Sequence, residues 1–103
     1  MMMLNPKIVF RGESAFVDNF KLFDVVLNNG ITLRVAIGGD GDKTPVLMVH
    51  GHPHTHVIWR KVAPALAKDR KVILVDLRGY GDSSKPESMP DHRPYSKREM
   101  ACD

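Results

Sequence analysis

Apolar and polar positions alternate clearly from Phe20 onward. Phe20, Leu22 and Val25 to Leu27 form one apolar-rich run, and Ile31, Leu33, Val35 and Ile37 then alternate with Thr32, Arg34 and Ala36. A period of two predicts strands with one buried face. Asn28-Asn29-Gly30 separates the runs. Asn-Gly tolerates positive φ at both central positions of a type I′ turn, so an antiparallel hairpin is expected. Gly38-Gly39-Asp40-Gly41-Asp42 follows as a turn. No Lys-Ser/Thr stands at phosphate-loop spacing, no helix opens after it, and two aspartates would repel phosphate.

Val46-Leu47-Met48-Val49, after Pro45, is continuously apolar, which predicts a strand buried on both faces. It runs into His50-Gly51-His52-Pro53, a turn. Thr55 is a candidate helix cap, and Ile58, Trp59, Val62, Ala63 and Leu66 share one face at helical spacing. Pro64 lacks an N–H and clashes with the preceding turn, so two short helical pieces are expected. Lys71 to Val75 is a second continuously apolar strand ending at Asp76. Two such strands joined through a helix predict a right-handed βαβ unit, with its chemistry in the loops beyond the strands' carboxyl ends. The stretch from Asp76 to Pro94 is a long loop at such an end. Ser96-Lys97-Arg98-Glu99 has the form of a capping box, so a helix is expected from Tyr95 or Ser96. Residues 1–19 carry little pattern. Ile8-Val9-Phe10 is bounded by Lys7 and Arg11, and the segment reads as a loosely attached leader to a domain over residues 20–103.

Composition narrows the class. A 43% hydrophobic and 26% charged chain of 103 residues is ordinary for a globular protein. No run approaches the ~18 apolar residues of a membrane span. The first residues lack the apolar core and cleavage site of an export signal, so a cytoplasmic location is expected. The net charge of +3 is scattered among acidic residues. Without a basic block, neither a nucleic acid nor a membrane is an expected partner. Cys102 is the single cysteine, which excludes an internal disulfide.

The succession of hairpin, strand ending in His50-Gly51-His52-Pro53, helix, and strand ending in Asp76-Leu77-Arg78-Gly79-Tyr80-Gly81-Asp82-Ser83-Ser84-Lys85-Pro86 resembles the start of the α/β-hydrolase fold. The finer resemblance is to the haloacetate (fluoroacetate) dehalogenases and their epoxide-hydrolase relatives. It is carried also by His54-Thr55-His56 with Trp59, and by Pro94-Tyr95-Ser96-Lys97-Arg98. The implied fold class is α/β, a truncated N-terminal part of the α/β-hydrolase fold: an antiparallel hairpin followed by a βαβ unit. The resemblance implies that the backbone N–H of His52 is an oxyanion-hole donor and that the His52–Pro53 bond is cis. It also implies that His50, Gly51, Pro53, Asp76, Arg78, Gly79 and Gly81 form the supporting loops, with Arg78 as a structural anchor. A small-molecule substrate, no cofactor and a homodimeric full-length enzyme belong to the same expectation. The implied mechanism has two steps: an aspartate displaces halide to form an ester, and an activated water hydrolyses it. Epoxide hydrolase, serine esterase and a non-catalytic remnant are the alternatives.

Neither Gly-x-Asp-x-Gly nor Gly-x-Ser-x-Gly, the nucleophile elbows of this fold, occurs in the 103 residues. No catalytic residue is therefore expected in this chain; nucleophile, acid and base are expected after Asp103, and the chain alone is expected to be inactive. His50, His52, His54 and His56 alternate as a metal site on an extended strand would, but Gly51 and Pro53 bend the chain, so no metal site is expected. His50 reads as a packed turn residue, and His54 and His56 as loop residues. Ser83 and Ser84 lack an elbow, Trp59 reads as core, and Asp76 as a structural hydrogen-bonding group. The strand Val46–Val49 is expected to be central in the sheet of the complete fold. Left with an unpaired edge in a core of this size, the chain is expected to be poorly soluble or molten.

Overall fold

A computed structural model describes residues 7–51, 54–86, 100 and 103. Five strands form one mixed sheet: β1 (Lys7–Glu13), β2 (Lys21–Val26), β3 (Thr32–Gly38), β4 (Lys43–Val49) and β5 (Arg70–Val75), in the order β1-β2-β3-β5-β4. β1, β2 and β3 are antiparallel neighbours, β3 is antiparallel to β5, and β4 runs parallel to β5. The expected hairpin and βαβ unit are both present.

The hairpin pairs Val26 with Thr32 and Lys21 with Ile37. Its turn differs from the expected type. Neither Asn28 nor Asn29 has a positive φ, and Gly30 alone does, at 84°. Gly30 N–H donates to Leu27 O (3.1 Å) and Leu27 N–H to Ile31 O (2.8 Å). One left-handed glycine thus closes a three-residue loop, a common alternative to the two-residue mirror-image turn.

The segment read as a leader is joined to the sheet over its described part. β1 pairs with β2 from Lys7↔Val26 to Glu13↔Lys21, with a bulge between Phe10 and Gly12. Val17 is fully buried. It packs with Phe20, Ala36, Ala63, Val72 and Leu74 on the face covered by the helical connection.

That connection splits as expected into a 3-10 turn, His56–Trp59, and a short helix α1, Ala63–Leu66, with Pro64 in its first turn. Thr55 caps the 3-10 turn, its hydroxyl accepting from Val57 N–H. Two pieces do not share the single apolar face of a continuous helix. Trp59, Ala63 and Leu66 pack inward, whereas Ile58 and Val62 are exposed.

β4 corrects the expectation of a strand buried on both faces. Val46 and Met48 are half-buried, while Leu47 is 62% and Val49 49% exposed. Among the described residues β4 pairs with β5 alone. Its outer side chains join Leu33, Val35, Ile73 and Val75 around an open apolar concavity of about 480 Å³. A continuous apolar run states what a strand can bury; burial itself needs a layer on each face.

Candidate active site

The loops that follow β4 and β5 leave from the carboxyl ends of two adjacent parallel strands, so they lie side by side. His50 joins them first. It is 4% exposed; its Nε2 accepts from Leu77 N–H (3.0 Å), and Nδ1 lies 3.0 Å from Gly51 O. A lone pair is needed at Nε2, so the proton sits on Nδ1 and donates to the carbonyl. The ring stands edge-on to Tyr80, centroids 5.1 Å apart. His54 N–H donates to Gly51 O (2.8 Å). His52 and Pro53 lie outside the described residues, as do Pro94–Arg98, the Ser96–Glu99 capping box and Cys102.

Asp76, 1% exposed, is the second junction. Its Oδ1 accepts from both His56 N–H (2.7 Å) and His56 Nδ1 (2.8 Å), and its Oδ2 from Asp82 N–H (3.3 Å). Burial pushes the carboxyl upward. The side-chain and backbone hydrogen bonds from His56 and the Asp82 amide outweigh that, and the net direction is below the ordinary 3.8. Gly81 makes the close approach of Asp82 possible. It has φ 52°, and a Cβ there would stand 2.2 Å from Asp76 Oδ2.

The backbone of Asp76 is also committed. Its N–H donates to Arg34 O, and its carbonyl accepts from Ser83 Oγ, which in turn accepts from Arg34 N–H. Ser84 Oγ accepts from Thr32 N–H (2.7 Å), and Ser84 N–H donates to Thr32 O. Both serines thus lace the loop to β3. Arg78, 5% exposed, forms a two-pronged ion pair with Asp103, Nε to Oδ2 at 2.7 Å and a second bond to Oδ1. Gly79, at φ 85°, donates its N–H to Ser84 O.

His56 is the residue that sequence reasoning missed. It reads as a loop residue, yet it is buried and bonded to Asp76, 20 positions away. The available signal is Asp76 itself: an aspartate directly after the apolar run Val72 to Val75 must find donors. Among the described residues no three His, Cys, Asp or Glu side chains gather as a metal would require. No described helix is long and apolar enough to cross a membrane.

Comparison with known proteins defines the class. A family model of the alpha/beta hydrolase fold matches residues 44–101, and the chain belongs to that family. It is 47% identical over 73 residues to a fluoroacetate dehalogenase from Burkholderia sp., covering 71% of this chain and 23% of that protein. It is 41% identical over 75 residues to a soluble epoxide hydrolase from Corynebacterium sp., covering 73% and 24%. A crystal structure from Salmonella enterica, provisionally named an acyltransferase, superposes with a TM-score of 0.86 at 59% identity, covering 92% of this chain and 31% of that one. The chain thus spans about a quarter of the length of the curated relatives it matches.

Proposed function

We propose that this chain forms one wall of the active site of a hydrolase that removes halide from a short haloacid. The similarity to fluoroacetate dehalogenase at 47% identity carries the reading. In it, the backbone N–H of His52 is an oxyanion donor, and the loops around His50, Gly51, Pro53, Asp76, Arg78, Gly79 and Gly81 hold it in place. Asp76 is not the nucleophile, because both its oxygens already accept hydrogen bonds in a buried site. Ser83 and Ser84 are equally occupied as ties to β3. The nucleophilic aspartate belongs to an elbow that the 103 residues do not contain. Its carboxylate oxygen bonds to the carbon as halide departs. Water then adds to the ester carbonyl, and the charge that develops on oxygen is met by fixed N–H donors. No cofactor is required. The full-length enzyme acts on a small molecule in the cytoplasm, without nucleic acid or membrane.

The runner-up is ester or acyl-transfer chemistry on a serine elbow, favoured by the provisional name of the Salmonella structure. Reading the coding sequence beyond codon 103 and assaying its complete product separates the two. Gly-x-Asp-x-Gly with fluoride release from fluoroacetate is the expected result. Gly-x-Ser-x-Gly with hydrolysis of p-nitrophenyl acetate and no halide release overturns the dehalogenase reading. An Asp elbow with diol formation from an epoxide moves it to the epoxide hydrolases. A stop codon at 104 makes the chain a remnant.

A further inference from the structure

His50 and His56 stand at the two ends of the loop that follows β4, and both bond to one dipeptide. His50 Nε2 accepts from Leu77 N–H, while His56 donates from its backbone and from Nδ1 to the carboxylate of Asp76. Both residues are buried, at 4% and 6% exposure. Between the two ties, His54 N–H donates to Gly51 O. Asp76 and Leu77 are themselves held: Asp76 N–H donates to Arg34 O, and Ser83 Oγ ties the Asp76 carbonyl to β3.

We infer that His50 and His56 are a pair of positioning residues that clamp both flanks of the β4 loop onto the Asp76–Leu77 step, each ring carrying its proton on Nδ1. The inference deepens the proposed function and rests on it for its kinetic consequence, because that reading takes an oxyanion donor from within the clamped loop. The alternating histidines then have a division of labour that a metal site would not give. At His50 the ring must offer a lone pair at Nε2, and at His56 it must offer a proton at Nδ1. A donor aimed at developing charge is effective only if its geometry is fixed before the reaction, and misplacement of about 1 Å can cost roughly 100-fold. The groups that face the clamp are Tyr80 against His50, and Asp76 with the Asp82 amide at His56.

Two measurements on the complete gene product test this. Long-range ¹H–¹⁵N spectra of histidine-labelled protein report each ring's proton directly and do not depend on activity. The expected result is a proton on Nδ1 of both His50 and His56, with Nε2 of His50 unprotonated. An Nε2–H on His50, or a bare Nδ1 on His56, overturns the clamp.

The second measurement is kinetic. Glutamine can place an acceptor near the position of Nε2, and asparagine a donor near that of Nδ1. His50→Leu and His56→Leu are expected to lower kcat about 10- to 100-fold without raising KM. His50→Gln and His56→Asn are expected to recover most of that loss. Equal kcat in the leucine and amide variants overturns the positioning role. Where a leucine variant does not fold, kcat of the amide variant against the parent decides: near-parental supports the clamp, and a loss as deep as 100-fold overturns it. A parent that releases no halide but shows the expected protons overturns the dehalogenase reading and leaves the clamp standing.

Discussion

Asp76 shows at the scale of one residue how a buried charge is stabilised. Two N–H donors from His56 and one from Asp82 surround its carboxylate. Replacing Asp76 with Ala leaves those donors unpaired in a buried site, and each orphaned group costs about 1–3 kcal/mol. In the complete gene product we expect Asp76→Ala to lower unfolding free energy by about 3 kcal/mol or more in urea titration. The pH dependence follows from the depressed carboxyl. Its folded value lies below the ordinary 3.8, so the ionised form is favoured by folding. That contribution is complete above the unfolded value and is lost as pH falls through the folded one. Stability measured between pH 5 and 2 is therefore expected to fall less steeply in Asp76→Asn than in the parent. Gly81 adds a steric test. At φ 52°, with Asp76 Oδ2 2.2 Å from an added Cβ, Gly81→Ala must both strain the backbone and displace the carboxylate. Gly30, at φ 84° with open space around it, pays only the backbone cost. Gly81→Ala is expected to lower the melting temperature further than Gly30→Ala, with a difference worth about 1–2 kcal/mol.

At the scale of elements, periodicity made most of the sheet legible. The runs in Phe20–Leu27 and Ile31–Ile37 became β2 and β3, and Pro64 divided the connection where its missing N–H requires. Three features were not legible, each for a physical reason. β1 alternates weakly, and only its pairing with β2 reveals it. The hairpin turn was set by one left-handed glycine, because the residues at its corner accept either geometry. The His56–Asp76 contact joins positions 20 apart, and local pattern carries no record of it. β4 is exposed on its outer face because apolar content does not specify a covering layer. That exposure has a measurable consequence. Leu47 is 62% exposed on a strand paired on one side among the described residues, and such edges recruit other strands. Leu47→Lys places a charge on that face while giving up little packing. We expect it to raise the concentration at which the 103-residue chain self-associates, read by light scattering, with stability changed by about 0.5 kcal/mol or less.

The whole molecule has two unlike faces. Val17, Phe20, Ala36, Ala63, Val72 and Leu74 form a core under the helical connection. Ile31, Leu33, Val35 and Val75 cluster on the opposite face, bordered by the exposed Leu47 and Val49. The relatives are about four times longer than the matched region. A sheet covered on both faces gains apolar burial from each, and with one face open among the described residues it forgoes much of that gain while still bearing the full entropy of ordering its strands. Cooperativity suffers along with stability, because side chains on an open face have few neighbours to fix them. We therefore expect the 103-residue chain to bind the dye ANS and to melt over a broad range by near-ultraviolet circular dichroism, with Leu47→Lys weakening dye binding. A monomeric sample that melts sharply and binds no dye would show that residues of this chain close the second face themselves.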